Sequence, residues 1–341
     1  MIRTATLSDL WAMRRKPRSS ILFLNDRLLT RPHRPLSLAA RGALSGNTRD
    51  GATVVLHEHG QRAVAQSLRR GSRPEHDLAL LAVYGPRRAA GTDADAWFRV
   101  LEGLCVAVGQ AHIQRLYAAL ARRHDDLREI FRQLGFVAYT EQTVLRLQGP
   151  DWDQGTRLAP MRPQSRRDVW AIHKLYGATT PRPVQQAEAR DSRAWSLPRA
   201  SPRRQELRGW VLGPDDDLSA YLSMRSGPSA HVMTLLLRPE ERDILADVLR
   251  FGLGQINDDR PVLLVLRDYQ RELVLPAEDL GFEAIGEQTL LCKQTTMAAR
   301  RPLLVPGLEL RPEPTTPIPT ISSISEDARP YGRTTRYHKQ H

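Results

Sequence analysis

Cysteine, lysine and long apolar runs are what this chain has least of. There are two cysteines, Cys105 and Cys292, one in each half and each inside an apolar stretch. That excludes a disulfide-stapled scaffold and a cysteine-ligated zinc site, and it points to buried free thiols. The apolar run Ile21-Leu22-Phe23-Leu24 ends at Asn25-Asp26-Arg27 and is far too short to cross a membrane. It also lacks the form of a secretory leader. The expectation is a soluble, cytoplasmic protein with no membrane partner. Lysine supplies only 4 of the 50 basic residues, so the formal charge of +12 is carried by arginine. An arginine excess can mark a polyanion partner. Here the arginines run along the whole chain without forming a block, and no nucleic-acid motif accompanies them. We read the excess as a compositional bias, of the kind a GC-rich coding sequence produces, and not as a nucleic-acid footprint.

What the chain does contain is a repeat. Residues 134–145 read LGFVAYTEQTVL and residues 280–291 read LGFEAIGEQTLL, 146 residues apart. Upstream, Asp9-Leu10-Trp11-Ala12-Met13 is answered by Asp168-Val169-Trp170-Ala171-Ile172, 159 residues apart. Two landmarks in the same order indicate duplication of a whole domain and not a short solenoid repeat. A chain of 341 residues accommodates two such domains. The expected organisation is one domain over 1–147, a linker over 148–156, a second domain over 157–295, and a disordered Pro/Ser/Thr-rich tail over 300–341.

Each half reads as strand, helices, three strands, helix, strand, helix, strand. In the first half, β-branched or alternating runs at Ala52–Glu58, Ala63–Leu68 and Asp77–Tyr84 are broken by turn residues and predict an antiparallel meander. Residues 93–112 place Trp97, Val100, Leu101, Leu104 and Val108 on one helical side. A strand at 115–119, a helix at 124–134 stopped by Gly135, and a strand at Val137–Leu147 complete the half. The second half gives strands at 209–212, 220–225, 231–237 and 262–267 with helices between them. A Pro- and Arg-rich segment, 180–204, is expected to be poorly structured. The Trp11 and Trp170 pair is expected to pack the first helix of each half onto its sheet. The fold class is α/β (α+β), two tandem copies of a mixed, mostly antiparallel sheet flanked by helices.

This order resembles the GNAT superfamily of acyl-CoA N-acyltransferases, with the closing Leu134-Gly135-Phe136 and Leu280-Gly281-Phe282 matching the family's Gly-Phe pair before the long final strand. The resemblance spans roughly 1–147 and 157–295, the second half being the more divergent. It implies acyl transfer, most simply of acetyl from acetyl-CoA, to an amine on a small molecule or a protein, by direct attack in a ternary complex. The family's Gln/Arg-x-x-Gly-x-Gly/Ala cradle presents loop amides and a helix N-terminus to the CoA pyrophosphate. At that place the first half carries Arg88-Ala89-Ala90-Gly91-Thr92-Asp93. The resemblance therefore assigns cofactor binding to Arg87, Arg88 and Gly91, with Val83 and Tyr84 beside the pantetheine arm. Asp93 departs from the pattern: it either caps the following helix or opposes the phosphates. We expect the opposition. In the second half, Arg238-Pro239-Glu240-Glu241 has no glycine and two carboxylates, which argues against a working cradle.

A tyrosine four residues before the Gly-Phe glycine often protonates the departing thiolate in this family. Phe131 and Ala277 stand there instead. Tyr139 is the candidate acid in its place, with Tyr117 as a neighbour, and Glu75 is the candidate base, with Asp77 and Glu58 as alternatives. The departures leave open a second reading, a non-catalytic GNAT-fold protein for binding or assembly with a vestigial CoA site.

Overall fold

The computed structural model describes residues 1–46, 50–58, 60–85, 93–148, 158–198 and 206–295. The expected cradle residues Arg87, Arg88 and Gly91, most of the expected linker and the expected tail lie outside them. Residues 1–297 form one compact unit.

In chain order, the first half comprises β1 (Ile2–Thr4), α1 (Leu7–Met13), β2 (Ser19–Leu22), α2 (Asp26–Thr30), α3 (Pro35–Ser45), β3 (Gly51–Glu58), β4 (Gln61–Arg69), β5 (Glu75–Tyr84), α4 (Asp93–Gln110), β6 (Arg115–Ala121), α5 (Arg128–Gln133) and β7 (Val137–Leu147). The second comprises β8 (Arg162–Pro163), α6 (Val169–Thr179), α7 (Arg182–Glu188), β9 (Glu206–Leu212), β10 (Ala220–Ser226), β11 (His231–Leu237), α8 (Leu245–Leu253), β12 (Val262–Arg267), α9 (Val274–Glu278) and β13 (Glu283–Gln294). Short 3-10 turns precede α5, α6, α8 and α9. Helix α7 lies in the segment expected to be poorly structured. Its prolines are compatible with a helix because both stand at its start: Pro181 is the N-cap and Pro183 falls in the first turn, where no backbone N–H is needed.

All of these strands join one sheet in the order β1-β3-β4-β5-β6-β13-β7-β12-β11-β10-β9-β8, with β2 paired to β5 off this path. The final strands are therefore exchanged. β13, the last strand of the second half, pairs antiparallel with β6 of the first, and β7 pairs with β12. The two exchanged strands also pair with each other. The halves are duplicated in sequence but are not separate sheets.

The exchange has a local twofold character. In the β7·β13 register, Gln142 faces Gln288, Glu141 faces Thr289 and Thr143 faces Glu287. The repeated Glu-Gln-Thr phrase thus meets its own copy. The Gln142 amide donates to Gln288 Oε1 at 2.6 Å, and Gln288 Nε2 donates to the Leu24 carbonyl at 3.2 Å. Both glutamines are buried, so each bond is made away from water, where a lost partner is expensive.

The other repeated phrases also have local explanations. Gly135 and Gly281 have φ of +79° and +89°, a region a side chain rarely adopts. Phe136 N–H reaches back to the Phe131 carbonyl and Phe282 N–H to that of Ala277, closing α5 and α9 as glycine-stopped helices with the phenylalanine buried. Asp9 accepts from the backbone N–H of Thr6 and from both terminal nitrogens of Arg3; Asp168 does the same with Ser165 and Arg162. Each aspartate ties a helix start to the preceding strand. Trp11 and Trp170 do not pack their helices onto the sheet: they are 66% and 68% exposed. The inward faces are filled by Ala12 and Met13 on α1, and by Ala171, Ile172, Leu175 and Tyr176 on α6. The tryptophans are turned away from those positions by the helical period.

The cores lie under the two longer helices. Trp97, Val100, Leu101, Leu104 and Val108 of α4 pack on one face of the first half, and Leu245, Val248, Leu249 and Leu253 of α8 on the second. Cys105 and Cys292 are free, Cys292 buried and Cys105 partly so, and burial pushes both thiols up to about 11.

Replacing Gln288 with alanine strands the Gln142 amide and the Leu24 carbonyl. It should cost roughly 1–3 kcal/mol per unsatisfied buried group in urea unfolding. The double change of Gln142 and Gln288 to leucine should cost less than the sum of the two single changes. Full additivity would show that the two side chains do not depend on each other.

Candidate functional site

Strands β5 and β6 run parallel and pair only at Glu75–Asp77 with Arg115–Tyr117. Beyond Asp77 they part. The same happens between β11 and β12 after Met233 and Leu264. A one-residue irregularity in β5 lies at the parting, where Gln66 pairs with Leu80 and Ser67 with Leu78, leaving Ala79 extra. Such bulges re-aim a strand edge and are common beside binding sites.

The edge of β5 that β6 vacates is not free. Strand β2 pairs with it antiparallel, Ser19 to Val83, Ser20 to Ala82, Ile21 to Leu81 and Leu22 to Leu80. Arg18 N–H extends the ladder to the Val83 carbonyl at 2.8 Å and Phe23 N–H to that of Ala79 at 3.1 Å. Val83 and Tyr84, expected beside a pantetheine arm, are buried there. Phe23 packs edge-on against Phe131 with ring centroids 5.8 Å apart, and Phe131 packs likewise on Phe136 at 5.0 Å. The position where the family often carries its acid is thus part of an aromatic core. Asp93, the first residue of α4, pairs with Arg18 just ahead of β2. Its carboxylate fastens the strap that occupies the notch. Among the described residues of this notch, the β5 backbone from Leu80 to Val83 is already paired with β2.

No strand fills the corresponding notch of the second half among the described residues. The Gln270 amide donates to the Leu235 carbonyl at 3.0 Å. Arg238, at the start of the cradle-like segment, is held by Asp217 and by the Leu218 carbonyl at 2.9 Å. A 3-10 turn over Pro239–Ile244 replaces a regular helix start.

The candidate acid and base lie on the opposite side of the parting, under the segment from Ala187 to Arg190. Tyr117 donates to the Ala187 carbonyl at 3.0 Å, and its ring lies 6.3 Å from that of Tyr139 and 4.1 Å under the Arg70 guanidinium. Burial pushes the Tyr139 hydroxyl up to about 12, against the pull of Arg267, Arg70 and Arg190. Glu75 is buried between Arg73 and Arg115, the latter 3.2 Å away. Asp77 is 3.1 Å from Arg70, and Glu58 pairs with Arg99. Tyr139, Glu75 and Asp77 therefore share one polar neighbourhood. Val83 and Tyr84 belong to the filled notch.

Glu188 organises this neighbourhood, and sequence reasoning missed it. Its carboxylate takes the Tyr176 hydroxyl at 3.0 Å, Arg190 at 2.8 Å and Arg267 at 3.3 Å. Burial alone would raise its pKa, but Arg190, Arg267 and Arg70 overcome that and bring it down to about 2. Arg73 donates to the carbonyls of Glu188 and Ala189. The segment is thereby clamped onto the β4–β5 turn. The reciprocal contact exists: Ser229 N–H, in the β10–β11 turn, donates to the Thr30 carbonyl at the end of α2.

One further arrangement has a catalytic look. Ser226 Oγ is 2.9 Å from His231 Nδ1, and His231 Nε2 is 3.0 Å from Asp258. Both ring nitrogens are engaged, the imidazole is buried, and Asp258 is also held by Arg260. A similar pair, Ser67 with His76 at 2.9 Å, stands at the start of β5. The pairs brace the points where parallel strands begin. Among the described residues, no three His, Cys, Asp or Glu side chains gather to hold a metal ion, and no helix is long and apolar enough to cross a membrane.

A scan against family models finds no match, and neither does a sequence comparison with curated proteins. Solved structures do match. A tandem GNAT protein from the clavulanic acid biosynthesis pathway is 14% identical, covering 87% of this chain and 99% of its own, with a TM-score of 0.48. A GCN5-related N-acetyltransferase from Sphaerobacter thermophilus is 13% identical, covering 86% and 95%, with a TM-score of 0.46. A putative acetyltransferase from Pyrococcus horikoshii is 10% identical, covering 87% and 90%, with a TM-score of 0.45. The strand order, the parted parallel pair and the helix placement of each half make the fold GNAT-like.

Glu188→Gln should destabilise the protein at neutral pH by roughly 3 kcal/mol, since every tenfold weakening of proton binding in the folded state corresponds to about 1.4 kcal/mol. The folded pKa is depressed, so the contribution is full above the ordinary carboxylate range and fades as pH falls towards about 2. Urea unfolding of both proteins at pH 7 and at low pH should therefore converge in acid. A cost independent of pH would contradict the charge assignment.

Proposed function

We propose that this protein uses its two GNAT-like halves as a binding scaffold, and that its first half does not carry acyl-CoA. The observation that supports this is strand β2 on the β5 edge. A pantetheine arm would need backbone partners along Leu80–Val83, and Ser19–Leu22 already provide them. The residue that follows β2, Phe23, packs against Phe131. Proton transfer is also poorly served: Glu75 is held between two arginines, and a tyrosine pushed up to about 12 is far from matched to neutral pH.

Acyl transfer from acetyl-CoA to an amine is the second reading, and one observation favours it. The second-half notch holds no strand among the described residues, and past Met233 the β11 edge takes the Gln270 side chain at Leu235. In that reading the acceptor amine, on a small molecule or a protein, would come from the side that carries Tyr139 and Glu188.

Calorimetric titration of the full chain with acetyl-CoA, read beside amide hydrogen exchange, separates the two. The scaffold reading expects no saturable binding tighter than about 1 mM. It also expects Ser19–Leu22 amides as protected as those of β5, with or without the ligand. Saturable binding, with thiol release when amines are added, would establish the transfer reading. Loss of protection at Ser19–Leu22 on adding acetyl-CoA would show that β2 gives way and that the first half is a cofactor site after all.

A further inference from the structure

The segment from Arg27 to Arg41 folds its arginines around one hollow. A cavity of about 610 Å³ lies between α2, α3 and the β10–β11 turn. Its rim carries Arg27, Arg31, Arg34 and Arg41, and among the described residues no acidic side chain lines it. The spacing explains the convergence. Arg34, then Ser37 and Leu38, then Arg41 follow one another at three- or four-residue steps and so share one face of the α3 region, while Arg27 lies within α2 and Arg31 directly follows it. Pro228 and Ser229 of the second half form the far wall. Leu28, Leu38 and Leu68, all buried, give it an apolar floor.

Among the described residues, no ion pair engages Arg31, Arg34 or Arg41. The Arg27 guanidinium is held below its ordinary pKa by burial and then by repulsion from Arg31, Arg41 and Arg225, with Asp77 only partly offsetting them. Burial lowers His33 likewise, and the Arg27 charge adds to it. Holding like charges around a concavity costs free energy unless a counter-charge enters. Guanidinium groups are suited to planar, bidentate recognition of carboxylate and phosphate.

We propose that this cavity binds a small organic anion carrying at least two phosphate or carboxylate groups, with its charged groups on the arginine rim and its apolar part on the leucine floor. The size fits a small molecule. A duplex or single strand would lie along a basic stripe, whereas these arginines close around a hollow. Because its walls come from both halves, the occupant would also brace the junction at Thr30 and Ser229. The cavity uses no residue of either notch, so its occupancy is independent of acyl transfer.

The test is calorimetry and thermal unfolding of the full chain at low ionic strength, with pyrophosphate and citrate as probes and a short single-stranded DNA as the polyanion control. The expected result is one-to-one binding of at least one probe with a rise in Tm. Arg31→Glu and Arg41→Glu should each weaken it tenfold or more, while Arg123→Glu, on an exposed turn elsewhere, should leave it unchanged. Both rim arginines are exposed, so their variants should keep the wild-type circular dichroism spectrum. Binding of pyrophosphate alone would identify a phosphate ligand, and of citrate alone a carboxylate ligand. Absence of saturable binding by either probe, equal binding by the rim variants, or binding of DNA only would overturn the proposal.

Discussion

The contact between Gln142 and Gln288 is the point about which the molecule is arranged. The two residues are the same residue of a duplicated phrase, placed opposite each other by antiparallel pairing of the two exchanged strands. A buried amide pair of this kind is satisfied in one register only. A slip by one residue would turn one of the two side chains to the other face and leave the polar atoms of both without their partners. The glutamines therefore fix the register of β7 on β13, and that register fixes where β6 and β12 must lie.

Since β13 completes the first half and β7 the second, neither half can close its sheet alone. The second helix of each half then crosses to its neighbour. Leu29 of α2 packs on Val144, Val232, Leu263 and Val265, and α7 leads into the Glu188 cluster above β6 and β7. Twofold exchange explains why these contacts come in pairs, Thr30 with Ser229 and Ala189 with Arg73. It does not explain β2, which has no counterpart among the described residues. There the halves diverge: one notch is filled by a strand, and the other holds none among the described residues.

Much of the fold was legible because local rules and tertiary demands agree. The glycine stops, the α4 stripe and the bounds of β7 follow from periodicity and from the one residue type that tolerates positive φ. The exchange was not legible, because a strand's own pattern does not say which sheet it completes; only the coincidence of the repeat with itself, Gln142 on Gln288, hints at it. Strand β2 was visible only as a short apolar run, Ile21 to Leu24, and nothing local distinguishes a strap from a loop. Trp11 and Trp170 misled for a related reason. Aromatic residues in a repeated phrase suggest packing, yet what each phrase encodes is the aspartate that ties a helix start to an arginine. At the candidate site, Tyr139 and Glu75 were found by residue type, but the role of Glu188 depends on three arginines and a tyrosine that come from distant parts of the chain.

A fold in which each half supplies the other's last strand should unfold as one body. Differential scanning calorimetry of the full chain, beside circular dichroism of a fragment ending at residue 147, measures this most directly. Exchange of the final strands predicts a single transition with equal calorimetric and van't Hoff enthalpies, and a fragment without cooperative structure. Two separable transitions, or a fragment that folds and melts cooperatively alone, would contradict it.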